Sequence, residues 1–247
     1  MDFQGKVVIV TGGASGMGEA TAWAFAEAGA RVVVVDRNEA LARKIAGELG
    51  AEVWVGDVSD SAFCNAVVEE TVQRHRRLDV LVNAAGIIVR ARGEDTTDEQ
   101  WRRIMEVNVG GTFFMCRAAI RAMKPQGSGA IVNFGSIWGD LGAAGVAAYC
   151  ASKGAVHNLT RALALDHAKD GIRINAVCPG EVNTPMLQSE RKEPVTPELL
   201  QRLADTVPMG RLAEPLEIAR VVLFLASSQA SYMTGSLVLV DAGFAAR

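Results

Sequence analysis

Tyr149 and Lys153 stand four residues apart in the run Tyr149-Cys150-Ala151-Ser152-Lys153. On a helix that spacing is one turn on one face, which sets a phenol able to give or take a proton beside an ammonium group. The spacing alone does not separate a reactive pair from an ordinary Tyr/Lys pair on a solvated face. A second set of residues suits a phosphate: Thr11-Gly12-Gly13-Ala14-Ser15-Gly16-Met17-Gly18 comes directly after the apolar run Val7 to Val10. Gly12, Gly16 and Gly18 permit a tight turn, close backbone approach to a phosphate, and close packing of helix on sheet. A helix beginning near Gly16 points free N–H groups and a positive dipole end at the ligand. Asp36 ends the next apolar run, Val32 to Val35, where the adenosine ribose of a dinucleotide would lie. A carboxylate there accepts from a ribose 2′-OH and repels a 2′-phosphate, so it favours NAD over NADP. Arg37 beside it is a mixed signal, since a base there tolerates some NADP.

These groups need elements to hold them. Val7 to Val10 and Val32 to Val35 read as parallel strands buried on both faces, and the segment between them as the helix of one βαβ unit. Asn38 to Leu49 is predicted as an amphipathic helix with Leu41, Ile45 and Leu49 on its buried side, stopped by Gly50. Val53 to Val55 is a third strand, with Asp57 and Val58 at its end on the glycine-turn edge; Asp57 suits either an adenine amino group or a helix N-cap. The helix from Ser61 to about His75 buries Phe63, Val67 and Thr71. Leu78 to Val82 is the fourth strand and runs into Asn83-Ala84-Ala85-Gly86, whose small residues let backbone lie under a cofactor and whose Asn side chain can pin neighbouring backbone; a plain turn is the alternative.

Thr97 with Gln100 forms a capping box before a long helix carrying Trp101, Ile104, Val107 and Met115, with Asn108 inside it. Ala130 to Phe134 is strand five and leads to Gly135-Ser136. Tyr149 opens a helix to about Lys169, Ile172 to Val177 is strand six, and Pro179-Gly180 breaks it. The segment from Glu181 to about residue 210 reads as a mobile lid. Pro215 opens the last helix, and Ser236 to Val240 is strand seven. Strands alternating with helices, with the polar exceptions at strand C-terminal ends, give an α/β doubly wound parallel sheet of seven strands with helices on both faces.

At 247 residues and 49% hydrophobic content, the chain is expected to bury one core as a single domain, residues 1–247. A net charge of −3 offers no basic field for nucleic acid or an acidic membrane, so a small molecule is the expected partner. No charged-then-apolar leader opens the sequence, and its longest apolar stretch, Val221 to Ala226, is too short to span a bilayer; a cytoplasmic location is expected. Cys64, Cys116, Cys150 and Cys178 show no metal or redox spacing and read as buried, reduced thiols. His75, His157 and His167 form no ligand cluster, and no metal is expected.

Taken together, Thr11-Gly12-x-x-x-Gly16-x-Gly18, Asn83-Ala84-Ala85-Gly86, Asn108, Ser136, Tyr149-x-x-x-Lys153 and Pro179-Gly180 resemble the short-chain dehydrogenase/reductase family, in order and over essentially the whole chain. The resemblance implies a Rossmann-type fold and an NAD-dependent oxidoreductase that interconverts a secondary alcohol and its ketone. It makes Tyr149 the general acid/base, Ser136 the group that holds the reacting oxygen, and Lys153 the partner of the nicotinamide ribose that lowers the tyrosine's pKa; Asn108 would position a water on the proton path. An ordinary tyrosine titrates near ~10, and bringing it to near ~7 takes about 4 kcal/mol. It also places Pro179, Gly180, Val182 and Thr184 at the nicotinamide end. Ala84 and Ala242 depart from the usual Asn-Asn-Ala-Gly and Asp-Gly-Gly patterns. Val89, Trp138, Leu141, Ala143, Ala144, Val146, Met186 and Leu187 join Ser136 as the expected substrate wall. Nearly all are apolar, which favours a hydrophobic or aromatic alcohol over a sugar or polyol. A β-ketoacyl carrier-protein reductase and a non-catalytic NAD-binding protein are the rival readings; Asp36 counts against the first and the complete catalytic set against the second. The family also implies a homotetramer formed through the Tyr149 helix, the Thr97 to Met123 helix and the C-terminal segment.

Overall fold

The computed structural model describes residues 1–191 and 193–246. β1 (Val7–Thr11) and β2 (Arg31–Asp36) are runs of β-branched residues at the centre of a wholly parallel sheet, with β3 (Glu52–Val55), β4 (Val80–Asn83), β5 (Gly129–Phe134), β6 (Ile172–Pro179) and β7 (Leu237–Val240) in the order 3-2-1-4-5-6-7. Alternation along the strands divides the core in two, since successive side chains point to opposite faces. Val8, Val10, Val32 and Val34 face one side, with Phe25 of α1 (Gly16–Glu27), Ala46 of α2 (Glu39–Leu49) and Ile218, Val222 and Leu225 of α8 (Pro215–Ala226). Val7, Ile9, Val33 and Val35 face the other, with Val67 of α3 (Ser61–His75) and Met115 and Met123 of α5 (Thr112–Met123). Both faces are covered, so β1 and the middle of β2 need no polar alternation and show none.

The strand order reverses between β1 and β4, and in such sheets the crevice outside the C-terminal ends at that point is the binding edge. Thr11 ends β1 there and Asn83 ends β4, paired in register. The helix expected from Thr97 onward is three segments: α4 (Asp98–Met105), one π turn over Glu106–Gly111, and α5. A π turn takes one residue more than an α turn, so it rotates the face of α4 by about 100° relative to that of α5. Trp101 is 46% exposed, whereas Ile104, Val107 and Met115 are buried. Leu41 on α2 is likewise exposed, and Ala42, Ile45 and Ala46 form the buried side. α6 (Ala147–His167) carries Tyr149 and Lys153. The span read as a lid holds a short turn, Pro185–Leu187, and α7 (Pro197–Asp205); its residue Lys192 lies outside the described residues, as does Arg247.

Candidate active site

Gly12 turns the chain out of β1 with φ +65, and a Cβ on it would lie 2.8 Å from the backbone of Ala85. A Cβ on Gly18 would lie 2.1 Å from the Gly12 carbonyl oxygen. The glycine turn is therefore wedged against the turn after β4, which is one reason that turn is built of Ala84, Ala85 and Gly86. Thr11 joins the two, its hydroxyl accepting from the Ala85 N–H at 3.2 Å. Ser15 is the N-cap of α1 but makes no side-chain cap, leaving first-turn N–H groups without an intrahelical partner. The Asp36 carboxylate is held by the N–H groups of Ala14 (3.2 Å) and Asn38 (2.9 Å).

Gly12, Ser15, Gly16, Met17, Gly18, Asp36, Arg37, Asp57, Val58, Ala84, Gly86 and Thr184 all line one cavity of about 400 Å³. Leu41, Arg103 and Val107 line it too, unforeseen from the sequence. A cavity lined by a glycine turn, a helix N-terminus and a fixed carboxylate fits a dinucleotide. Asp57 is neither free nor a cap: it accepts from Ser59 N–H and Oγ–H and from the Arg103 guanidinium, while Asp60 caps α3. Burial pulls its carboxyl up, but Ser59 and Arg103 outweigh this and hold it down to about 2. Asn83 lies beneath the cleft rather than in it. Its amide donates to Asn133 Oδ1 (2.9 Å) and Cys116 Sγ (3.2 Å), not to neighbouring backbone.

A second cavity of about 210 Å³ adjoins the first through Met17, Thr184 and Met186. Ser136, Tyr149, Trp138, Ala143, Ala144, Val146, Met186 and Leu187 line it, and so do Pro179, Gly180 and Val182, which the sequence assigns to the nicotinamide end and which are absent from the first cavity. Val89 and Leu141 do not; Val89 is buried in the small cluster beside Ile104 and Tyr149. The wall is also less apolar than expected, because Arg90, Glu181 and Arg191 line it. Arg90 comes from the loop after β4 and Glu181 and Arg191 from the one after β6, so no local pattern announces them. Arg90 donates to the carbonyls of Ser189 (3.0 Å) and Met186 (3.4 Å), and Arg191 to that of Leu187 (2.7 Å). Burial raises the Glu181 pKa against the pull of Arg90 and Arg191.

Ser136 and Tyr149 line the second cavity, whereas Asn108 and Lys153 lie behind it and line neither. Asn108 Nδ2 donates to Ile87 O (2.9 Å) and to Ser152 Oγ (3.0 Å), and its Oδ1 accepts from Ile87 N (2.8 Å). The side chain clamps the loop after β4 to α6. Ser152, missed in the sequence, completes this link by donating to Tyr149 O at 2.8 Å. The Thr112 hydroxyl donates to the Asn108 carbonyl at 2.8 Å inside the π turn. A Cβ on Gly86 would meet Asn108 Oδ1 at 3.3 Å and Lys153 Nζ at 3.7 Å, so the glycine leaves that space to both. Lys153 donates to Phe134 O at 2.7 Å and sits 5.6 Å from the centre of the Tyr149 ring.

Here the structure departs from the sequence reading in sign. Burial pushes the Tyr149 phenol up to about 12, partly opposed by the Ser136 hydroxyl, and pulls Lys153 down to about 8. In the chain alone burial shifts both groups toward their neutral forms, because desolvation penalises each charge.

A family model described as enoyl-(acyl carrier protein) reductase matches residues 12–245. The chain is 44% identical to galactitol 2-dehydrogenase (L-tagatose-forming) of Cereibacter sphaeroides over 245 residues, 97% of this chain and 95% of that one. It is 42% identical to cyclopentanol dehydrogenase of Comamonas testosteroni over 246 residues, 98% of this chain and 97% of that one. The crystal structure of gox2181 is similar at TM-score 0.93 and 40% identity, covering 100% of this chain and 98% of that one. Likeness of that depth over nearly the full length of each relative, on the same backbone, leaves no room for convergence: the chain belongs to the short-chain dehydrogenase/reductase family.

Proposed function

We propose that the protein is an NAD-dependent dehydrogenase of a small secondary alcohol, with Tyr149 as general acid/base, Ser136 holding the reacting oxygen and Lys153 binding the nicotinamide ribose. The observation that carries this reading is the meeting of Tyr149 and Ser136 on the wall of a 210 Å³ cavity that opens into the glycine-turn cleft. Gly12, Ser15, Gly16, Met17 and Gly18 would bind the diphosphate, Asp36 the adenosine ribose, and Pro179, Gly180, Val182 and Thr184 the nicotinamide end. Bound NAD would supply the hydride acceptor and a fixed positive charge. The chain's own task is then to orient the alcohol, exclude water and take its proton on the Tyr149 oxygen. Asp36 supports NAD rather than NADP, since its carboxylate is already fixed by two backbone donors at the end of β2.

Trp138, Ala143, Ala144, Val146 and Leu187 support an apolar body around the carbinol carbon. Glu181 supports one further hydrogen-bond donor on the substrate, such as a second hydroxyl, because its carboxylate lines the same cavity and has no hydrogen bond or ion pair among the described residues. The relatives named above act on a cyclic monoalcohol and on a hexitol, so their names leave both ends of this range open. The test is NADH formation across aryl, alkyl, cyclic and polyol secondary alcohols. Small apolar alcohols bearing one extra hydroxyl should turn over fastest; activity confined to hexitols, or equal turnover with NADP, would overturn the proposal. Self-association as a tetramer belongs to the same proposal and is supported by exposed Trp101 on α4 and Leu165 on α6. Sedimentation at micromolar concentration showing only monomer would refute it.

A further inference from the structure

His157 lies on α6 one turn beyond Lys153, only 1% exposed. Its Nε2 is 3.3 Å from the backbone nitrogen of Ser136 and 3.3 Å from Cys178 Sγ, and its Nδ1 is 3.2 Å from Asp140 Oδ1. A backbone N–H can only donate, so Nε2 must be unprotonated and the ring proton must sit on Nδ1, facing Asp140. The loop is shaped to admit this ring. A Cβ on Gly135 would lie 2.5 Å from Nε2, and one on Gly139 would lie 2.4 Å from Cε1. Neither glycine has positive φ, so space rather than backbone conformation requires them.

Ser136 is consequently fixed at three atoms. Its N–H donates to His157, its carbonyl accepts from Gly139 N–H at 3.0 Å, and its Oγ accepts from Trp138 N–H at 3.2 Å. Asp140, His157 and Ser136 are the residue types of a hydrolytic triad, but the imidazole meets the serine's backbone and not its hydroxyl, so nucleophile activation is not its work.

We infer that His157 is a positioning residue: in its neutral form it holds the Ser136 backbone so that the hydroxyl meets the substrate oxygen, and protonation through the half-exposed Asp140 releases Ser136 and lowers activity at acid pH. A second proton on Nε2 would face the Ser136 N–H, two donors with no acceptor between them. The groups around the ring are Asp140 on the loop after β5, the Cys178 thiol on β6, and Lys153 and Arg161 on α6 itself. Burial, Lys153 and Arg161 disfavour the cation and Asp140 favours it, with the balance below the usual histidine value; the Cys178 thiol stays neutral, pushed up to about 12 by burial.

The inference rests on the reading of Ser136 as the substrate-holding hydroxyl, and its test separates the two. Ketone reduction by NADH in a Glu181→Gln background isolates the effect, because Tyr149 is protonated throughout the acid range and the other carboxyl on the cavity wall, raised by burial, is removed. The logarithm of kcat/KM should be flat near neutrality and fall with slope one at acid pH. Asp140→Asn should move that fall to lower pH, since it removes the anion that favours the cation. His157→Gln, whose amide oxygen can take the place of Nε2, should abolish the fall and restore most of the rate that His157→Met loses. His157→Met should lower kcat about ten- to a hundredfold at every pH, the range for a buried donor left unpaired, with NADH affinity kept as a check on folding. An acid limb unmoved in Asp140→Asn, or still present in His157→Gln, overturns the inference. Should no ketone be reduced, the Ser136 amide resonance decides: it should titrate in the native protein and not in His157→Gln, and an amide silent to pH overturns the inference irrespective of substrate.

Discussion

Replacing Lys153 by Met removes a charge with little change in bulk and tests how the Tyr149 phenol becomes a base. Burial sets that phenol at about 12, and a base is most effective with its pKa near the working pH. To work at about pH 8 the tyrosine must gain acidity by a factor of about 10⁴, or about 5 kcal/mol. A charged Lys153, 5.6 Å from the centre of the ring over which the phenolate charge spreads, is worth about 3 kcal/mol in an effective dielectric of about 20. That is about a hundredfold of the ten-thousandfold needed, and the rest falls to the cofactor's positive ring. The lysine can contribute only while charged, yet burial holds it at about 8, so a bound partner must restore its proton before the tyrosine loses one. Lys153→Met should therefore lower alcohol oxidation about a hundredfold at pH 8, with the deficit shrinking as pH rises. In the native enzyme log(kcat/KM) should level off near pH 8; in the variant it should climb with slope one to about pH 10. The assay is initial-rate NADH formation at saturating NAD from pH 6 to 10, with the KM for NAD measured separately. A variant slowed by the same factor at every pH, with its plateau where the native plateau lies, would refute the electrostatic account and leave Lys153 only a ribose ligand.

Asp36→Asn should lower kcat/KM for NAD about ten- to a hundredfold, the cost of losing a charged hydrogen-bond acceptor, and raise the relative use of NADP, since Arg37 lines the same cavity; the ratio of the two cofactors' kcat/KM checks this. Glu181→Leu should cut kcat/KM for a diol about ten- to a hundredfold while leaving a cyclic monoalcohol within a few-fold, and equal losses on both would mean the carboxylate does not meet substrate. Ala242 has φ +54, and a left-handed alanine costs about 1 kcal/mol. Ala242→Gly should therefore raise unfolding stability by about that amount in denaturant titration.

The sheet and the glycine turn were legible because their causes are local. β-branched runs make strands, positive φ at Gly12 and Gly16 demands glycine, and Asp36 falls at the end of its own strand. The pair Tyr149 and Lys153 was legible as a spacing, but its electrostatics were not, since burial comes from residues distant in the chain. Arg90, Glu181 and Arg191 escaped notice because two loops far apart in sequence bring them to one cavity. The π turn escaped because its one extra residue between α4 and α5 leaves no composition signal in Glu106–Gly111.

The buried polar residues around the site share a task that their family roles do not express. Asn108 grips the backbone of Ile87 beyond β4, Lys153 the carbonyl of Phe134 at the end of β5, and His157 the N–H of Ser136 just after it. Each is on the π turn or on α6, and each ties down a loop that leaves the sheet on its binding edge. Loops at that edge carry backbone groups that neither the sheet ladder nor water satisfies, so a buried side chain must supply the partner. The same contact fixes where the loop's own side chains point. Reactivity and loop support are therefore inseparable at these positions: removing the polar group exposes an unpaired backbone donor or acceptor and lets the reacting groups drift, and distances to substrate matter at the scale of an ångström. A substitution supplying an equivalent acceptor or donor should consequently recover more activity than one that merely restores volume, at Asn108 as at His157.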